Sequence, residues 1–231
     1  MLPIQSPAHS DLHAAYATGA CPICALLARS ERRYIDAALY EHVTDATWRA
    51  QVREARGFCA LHTERVLEVS RSALGVALVA ADILKTVRTA LPAATPARRW
   101  RRGSRSRAAA EAVRPRRRCP LCGYLEQLSA VYISALLDDL ATDAGRQAYA
   151  ASPGLCLPHF GAAAARGSAG FAVVQEHQTR AWQQLEHELE EFARKHDYRN
   201  AGAAMTEAER DAWRRALRLL AGSQPTMPSG R

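Results

Sequence analysis

Six cysteines and two histidines form one pattern that occurs twice along the chain. In each half, a CPxC motif is followed by a CxxH motif after a nearly constant interval. The eight residues are Cys21, Cys24, Cys59, His62, Cys119, Cys122, Cys156 and His159. From the second cysteine of CPxC to the third cysteine is 35 positions in the first half (59 − 24) and 34 in the second (156 − 122). Three thiolates and one imidazole complete a tetrahedral shell, so the pattern predicts two Cys3His metal sites, one in each half.

Zinc, two ions per chain, is the predicted metal. Four protein ligands leave no open position, which favours a structural role over metal catalysis. An iron–sulfur cluster is the alternative cofactor, since thiolates also bind such clusters. Thiol–disulfide chemistry at CPxC usually occurs in a βαβ context, which this sequence lacks. The less favoured alternative function is an iron–sulfur or thiol redox protein that acts as an electron carrier or sensor.

Helices are predicted to carry these ligands, because apolar residues recur with a helical period and no segment alternates with period two. Each CPxC motif opens a helix, the first over residues 22 to 43. A second helix follows the capping pair Thr44-Asp45, a third begins at Cys59, and a fourth spans 73 to 91. A long helix is predicted over 169 to 196. The last helix is predicted from the capping box of Thr206 and Glu209 to Gly222. The predicted fold is all-α, with about four helices in each half.

The two halves also match at positions that are not ligands. With an offset of 98, residues such as Tyr34, Ile35, Thr44 and Asp45 meet identical residues in the second half. This match predicts an internal duplication with pseudo-twofold symmetry, in which each half is held by its own Cys3His site. The predicted divisions are 1–91 for the first repeat, 92–118 for a linker, 119–222 for the second repeat and 223–231 for a disordered tail.

Positive charge is concentrated in the predicted linker. Residues 98 to 118 contain ten arginines and one acid, a net +9 (10 − 1), whereas the whole chain carries +8. Such a block is typical of a disordered, solvated linker. A second alternative function is a zinc protein that associates with nucleic acid, non-specifically, through residues 98–118, because arginines and a tryptophan can contact phosphates and bases. The candidate residues are Arg98, Arg99, Trp100, Arg101, Arg102, Arg105, Arg107, Arg116, Arg117 and Arg118.

The rest of the sequence limits the functional classes. Apolar residues make up 48% of the chain, yet no apolar run is long enough to span a bilayer, and residues 1–10 do not resemble a signal peptide. We therefore expect a soluble cytoplasmic protein with no membrane partner. No phosphate-binding glycine loop or nucleophile elbow occurs, and no residue is predicted to be catalytic. The expected role is a non-catalytic module that binds an unknown protein partner.

The segment CPIC, with RYIDAALYEHVTDATWRAQVREARGFCALH at residues 33–62, resembles a bacterial family of unknown function. That family is defined by pairs of CPxC and GFCxxH motifs. Residues 195–199 (KHDYR) and 214–222 (RRALRLLAG) are similar to the C-terminal end of the same family. The resemblance covers most of the chain except residues 92–118. It implies membership of a family and no particular activity.

Overall fold

The computed structural model describes residues 4, 6–92, 102–200 and 202–222. These residues form eleven α-helices and one 3-10 turn, Tyr198–Asn200, and contain no strand, which confirms the all-α prediction. The helices are α1 His9–Tyr16, α2 Pro22–Tyr40, α3 Ala46–Ala55, α4 Ala60–Val69, α5 Ala73–Ala90, α6 Arg102–Val113, α7 Pro120–Asp139, α8 Asp143–Tyr149, α9 Leu157–Ala164, α10 Gly170–His196 and α11 Glu207–Ala221.

Local sequence signals set several helix ends as predicted. Asp45 caps α3, because its Oδ1 accepts a hydrogen bond of 2.9 Å from the backbone N–H of Trp48. After α3 the chain turns through Arg56 and Gly57, both with positive φ. Thr206 and Glu209 form the predicted capping box of α11, in which each side chain accepts from the backbone N–H of the other.

The described chain divides into two compact units that differ from the predicted repeats. Unit 1 contains residue 4 and the described part of 30–127, and unit 2 contains the described parts of 5–29 and 128–231. Both divisions fall inside helices: the first turns of α2 belong to unit 2, and the first turns of α7 belong to unit 1. A helix of about 20 residues is about 30 Å long, which is about the diameter of a small domain. Its two ends can therefore belong to different cores.

Unit 1 has a core formed by the later turns of α2, by α3 to α5 and by the start of α7. Its buried residues are Tyr34, Ile35, Ala38, Leu39, Trp48, Val52, Val66, Val79, Cys119 and Leu121. Trp48 Nε1 donates a hydrogen bond of 3.1 Å to the Tyr34 hydroxyl, so this buried donor is satisfied. At the edge of the core, Arg49 and Arg53 of α3 each approach Asp82 of α5 to 2.8 Å.

Unit 2 has a core around the later turns of α7, with α1, α8 and α10 packed against it. Its largest fully buried side chains include Leu12, Tyr16, Ile23, Leu128, Ile133, Leu136, Leu140, Tyr149 and Leu155. Close backbone contact occurs where α10 begins, because a Cβ added at Gly170 would lie 2.2 Å from the Leu137 carbonyl oxygen. In unit 1, a Cβ at Gly75 would lie 2.0 Å from the carbonyl oxygen of Leu39. Leu39 and Leu137 are counterparts in the predicted repeat.

The predicted disordered linker contains a helix. Helix α6 packs against α5, and its Ala112 is 5% exposed. Arg56 Nη2 donates a hydrogen bond of 2.7 Å to the Ala112 carbonyl oxygen, and the backbone N–H of Arg116 donates to Glu54 O. Alanines at 108–110 and 112 favour a helix despite the flanking charges. Residues 93–101 and the tail from 223 lie outside the described residues, so the disorder predicted for them stays a prediction.

Among the described residues, no helix is both long and apolar enough to cross a bilayer.

Candidate metal centres

The eight predicted ligands form two clusters, but each cluster combines motifs from both halves. The unit 2 cluster consists of Cys21, Cys24, Cys156 and His159, and the unit 1 cluster consists of Cys59, His62, Cys119 and Cys122. The prediction that each half holds its own Cys3His set is therefore wrong. The reason is that α2 and α7 are each divided between the two units. The first turns of each helix, which carry its CPxC motif, lie in one unit. The later turns, and the CxxH motif that follows in the sequence, lie in the other.

The unit 2 cluster is almost entirely buried. Cys21 and Cys24 are each 6% exposed, and Cys156 is 2% exposed. His159 Nδ1 lies 3.1 Å from the Cys156 sulfur and 3.5 Å from each of the other two sulfurs. The sulfurs of Cys24 and Cys156 are 3.8 Å apart. All four potential ligand atoms therefore surround one small volume.

The unit 1 cluster has nearly the same geometry. His62 Nδ1 lies 3.3 Å from the sulfurs of Cys59 and Cys122 and 3.5 Å from that of Cys119. The sulfurs of Cys59 and Cys122 are 3.7 Å apart. His62 is 4% exposed and Cys119 8%, whereas Cys59 and Cys122 are partly exposed. This cluster is thus more accessible from solvent than the unit 2 cluster.

These distances match the edges of a tetrahedron around one ion. With Zn–S near ~2.3 Å and Zn–N near ~2.05 Å, an ideal tetrahedron has S–S edges of about 3.8 Å and S–N edges of about 3.6 Å. The measured S–S distances are 3.7 and 3.8 Å, and the measured S–N distances are 3.1 to 3.5 Å. Disulfides would need sulfurs about 2.0 Å apart, and all six cysteines are free. The donor set and its spacing therefore fit a tetrahedral metal ion.

Matching local structure presents the ligands in both clusters. The third residue of each CPxC motif, Ile23 or Leu121, is 0% exposed and anchors the turn in a core. Cys59 and Cys156 are the N-cap residues of α4 and α9, and the histidine follows three positions later in the first helical turn. In both cases a glycine with positive φ stands just before, at 57 and 154. Helix geometry places the N-cap residue and the residue three positions later on the same face.

Electrostatics in both clusters favour a bound cation. In the unit 2 cluster, hydrogen bonds with Cys156 and Cys24 lower the pKa of Cys21, whereas hydrogen bonds with Cys156 and Cys21 raise that of Cys24. In the unit 1 cluster, burial and the charge of Cys119 raise the pKa of Cys122 to about 12. Three thiolates at such distances repel one another, so a divalent cation is needed for all three to ionise.

The unit 1 cluster has an acidic partner that the sequence analysis missed. Glu31 Oε1 lies 3.6 Å from Nε2 of His62, on the side of the ring away from the sulfurs. Glu31 is held in turn by Arg65, whose Nε lies 3.5 Å from Oε2. Burial raises the pKa of Glu31 and lowers that of His62. A carboxylate behind a ligating imidazole orients the ring and increases its basicity.

Comparison with protein families identifies the chain. A model of the "Family of unknown function (DUF6062)" matches residues 12–227, which is nearly the whole sequence. The chain belongs to this family. No curated protein and no solved structure gives a significant match. The resemblance to an uncharacterised family is thus confirmed, and DUF6062 membership by itself assigns no activity.

The nucleic-acid candidates of this DUF6062 chain fall into two groups. Arg98, Arg99, Trp100 and Arg101 lie outside the described residues, as does the side chain of Arg102. Arg105 and Arg107 lie on α6. Beyond α6, Arg117 Nε is 2.9 Å from a Glu54 carboxylate oxygen, and Arg118 forms an ion pair with Glu126. These intramolecular pairs reduce the positive charge that residues 116–118 present to phosphates.

Unit 2 of this DUF6062 chain also contains a cavity of about 570 Å³ that the sequence analysis did not predict. All three cysteines of the unit 2 cluster border it, together with Arg215 and Arg218 of α11. Gln178 and Trp182 of α10 also line the cavity, and each has a buried N–H group without a hydrogen-bond partner in the described structure. No local sequence pattern could have revealed this cavity, because four separate segments form it.

Proposed function

We propose that the protein is a non-catalytic binding protein whose helices are held together by two structural zinc ions. The observation that carries this proposal is the tetrahedral spacing of three sulfurs and one nitrogen in both clusters. Zinc has no geometric preference from d-electrons and commonly occupies closed Cys3His sites. In each cluster all four positions are supplied by the protein, which supports a structural role rather than catalysis.

The same spacing supports zinc over an iron–sulfur cluster. An iron–sulfur cluster distributes its protein ligands over two or more iron atoms, so some of the donor atoms must lie further apart than the edges of one coordination tetrahedron. In both clusters the four donor atoms all lie within 4.8 Å of one another. This compactness favours one ion per cluster. An iron–sulfur or thiol redox protein stays the alternative to a zinc protein.

A structural ion at each cluster would join segments that are distant in sequence. The Cys24–Cys156 contact spans 132 residues and the Cys59–Cys122 contact spans 63. Structural zinc contributes roughly 10–16 kcal/mol in small zinc domains, and part of this contribution here would offset the entropy of closing long loops. The six free cysteines support placement in a reducing compartment such as the cytoplasm.

The exchange of motifs also supports the proposed duplication. Each cluster takes its CPxC motif from one repeat and its CxxH motif from the other, so the two exchanges are reciprocal. The close helix contacts at Gly75 and Gly170, each against the carbonyl of a counterpart leucine, repeat the same packing in both units. Both features are expected from two copies of one ancestral unit related by pseudo-twofold symmetry.

The test is elemental analysis and an absorption spectrum of protein purified anaerobically without chelator. The proposal expects two zinc ions per chain and no visible band. Iron together with a broad band near ~400 nm would instead establish the iron–sulfur alternative. Absence of bound metal, with six titratable thiols, would refute both interpretations.

We further propose that the cavity in unit 2 is the binding element, and that it accepts a small organic acid. Pockets of roughly 300–1,000 Å³ are typical of small-molecule sites. Leu185, Leu219 and Trp182 supply apolar lining for the body of such a ligand, and Arg215 and Arg218 supply positive charge. Arg215 also pairs with Glu188, which fixes its guanidinium. Arg218 has no ion-pair partner among the described residues, so its charge is available to a carboxylate.

Binding can be followed by intrinsic tryptophan fluorescence, since Trp182 lines the cavity. A panel of aromatic and aliphatic carboxylates should include compounds that change this fluorescence and raise the melting temperature. Arg218→Gln should weaken their binding at least tenfold, whereas Arg210→Gln, on the same helix and outside the cavity, should not. Equal binding by both variants would exclude the proposed carboxylate contact.

A further inference from the structure

A third cluster of metal-ligating side chains lies in unit 2, apart from the two cysteine clusters. His9 and His13 are one helical turn apart on α1, and Asp139 is the last residue of α7. His9 Nδ1 lies 2.9 Å from Asp139 Oδ1, and His13 Nε2 lies 3.3 Å from Asp139 Oδ2. The three donor atoms all lie within 4.8 Å of one another. Two imidazoles and one carboxylate thus converge on a single point.

The distances match the coordination geometry of a first-row divalent metal. With metal–nitrogen and metal–oxygen bonds near ~2.1 Å, neighbouring donors are about 3.0 Å apart in an octahedron and about 3.4 Å apart in a tetrahedron. The separations of 2.9 and 3.3 Å, each from one histidine to a different oxygen of Asp139, lie close to this range, so a small adjustment of the side chains would accommodate an ion. Two histidines at i and i+4 on one helix face are a common way to supply imidazole pairs to a metal.

The carboxylate of this cluster is held in place by its surroundings. Asp139 is 2% exposed, and its Oδ2 accepts a hydrogen bond of 2.9 Å from the hydroxyl of Tyr16. Tyr16 is itself packed edge-on against Tyr149, with ring centroids 5.3 Å apart. An outer hydrogen bond of this kind orients a ligating carboxylate. Asp139 is therefore set in one position before any ion binds.

The histidines complete the arrangement from the solvent side. His13 stacks on Tyr16, and its buried Nε2 has no hydrogen-bond partner in the described structure. The His9 side chain is 79% exposed. A buried acceptor or donor without a partner is costly, and a metal ion at the centre of the cluster would satisfy it. The exposed side of the cluster leaves room for water or an exogenous ligand in the remaining coordination positions.

We propose that His9, His13 and Asp139 form a third metal site, which binds a divalent transition metal such as Zn²⁺, Mn²⁺ or Fe²⁺. Nitrogen and oxygen donors suit these ions, and three protein ligands leave at least one position open. This site differs from the two closed thiolate clusters in both ligand chemistry and access. Its ion exchanges with solvent, and its open positions allow a further ligand to bind the metal.

The experiment is a Co²⁺ titration of the full-length protein, with zinc in both thiolate clusters and with exchangeable metal removed by dialysis beforehand, followed by absorption and by calorimetry. Zinc-filled thiolate clusters exchange slowly, so the third site should take up about one equivalent of Co²⁺ and show weak visible bands without thiolate charge-transfer bands. His9→Ala should reduce this affinity at least tenfold, because His9 is exposed and its loss leaves the core intact. His187→Ala, an exposed histidine outside all three clusters, serves as the control and should bind like the wild type.

Asp139→Asn provides a second variant, with elemental analysis as an independent readout. It should abolish the third equivalent while the two ions of the thiolate clusters stay bound, which separates this proposal from the proposed structural zinc. Co²⁺ uptake that is the same in wild-type protein, His9→Ala and His187→Ala would overturn the third site. Absence of uptake by the wild type would overturn it as well, and would leave the three side chains as a hydrogen-bonded group.

Discussion

Pairs of cysteine substitutions can test whether the two halves exchange their ligands. Cys21→Ser and Cys156→Ser both remove ligands of the unit 2 cluster, so the double variant should keep the ion of the unit 1 cluster. Cys21→Ser combined with Cys59→Ser removes one ligand from each cluster, so this double variant should lose both ions. If ligands were paired within halves, the two results would be interchanged.

The stabilities of the same variants should follow the same logic. Structural zinc contributes roughly 10 kcal/mol or more in small domains, whereas a whole native domain is stable by about 5–15 kcal/mol. The first lost ligand should therefore cost several kcal/mol. A second substitution in the same cluster acts on a site that is already disabled and should add less than about 1 kcal/mol. Substitutions in different clusters should be close to additive.

Metal content is measured by elemental analysis after dialysis against a competing chelator, and stability by urea unfolding. Serine replaces sulfur with a similar volume, so packing changes little between variants. Disulfide mapping gives a readout that needs no variant: after removal of metal and mild oxidation, a disulfide between Cys24 and Cys156, whose sulfurs lie 3.8 Å apart, should be among the products, and none should join Cys24 to Cys59. One retained ion in Cys21→Ser/Cys59→Ser, with none in Cys21→Ser/Cys156→Ser, would refute the exchange.

Three further predictions concern single side chains. Glu31→Gln should lower the zinc affinity of the unit 1 cluster about tenfold and leave the unit 2 cluster unchanged in a chelator competition, because Glu31 orients the histidine ligand from 3.6 Å. Asp82→Asn should cost about 1–3 kcal/mol in urea unfolding at pH 7, because the carboxylate is only partly exposed between two arginines of α3. Partial burial raises the pKa of Asp82, but hydrogen bonds from those arginines outweigh it and lower the pKa. The stabilisation by the Asp82 carboxylate is therefore complete above about pH 4 and is lost as the pH falls through the lowered pKa. At that low pH, the free energies of unfolding of the variant and the wild type should converge. Gly75→Ala should cost more than about 2 kcal/mol, because its Cβ would lie 2.0 Å from a carbonyl oxygen at the end of α2. Gly161→Ala, in a helix where the Cβ meets nothing within 4 Å, should instead be neutral or stabilise by up to about 1 kcal/mol, and urea unfolding measures both glycine variants.

The helices and the eight side chains of the two cysteine clusters could be predicted from the sequence, because both depend on local information. Apolar periodicity, the Asp45 cap and the Thr206 capping box act within a few residues, and the structure confirms them. The CPxC and CxxH motifs place two ligands each through a single turn. Helix α6 was not predicted, because the high arginine content of residues 98–118 is typical of a disordered linker, whereas the alanines at 108–110 and 112 favour a helix.

The pairing of the motifs could not be predicted, since a duplicated sequence makes the alternatives equivalent. Either pairing combines one CPxC motif with one CxxH motif and gives the same Cys3His ligand set. Which CPxC motif joins which CxxH motif depends on the core against which the first turns of α2 and α7 pack. Contacts between residues distant in sequence determine that packing. The cluster of His9, His13 and Asp139 is hidden for a similar reason, because 130 positions separate His9 from Asp139.

The exchange of ligands has a consequence for how the chain holds its fold. The unit 1 cluster contains Cys119 and Cys122 from the second repeat, and the unit 2 cluster contains Cys21 and Cys24 from the first. Neither repeat contains a complete ligand set for the cluster that its own CxxH motif helps to form. Because metal binding and folding are coupled in sites of this kind, filling either cluster requires both repeats to be in place. With the proposed metal binding, the stability of each unit depends on residues from both repeats.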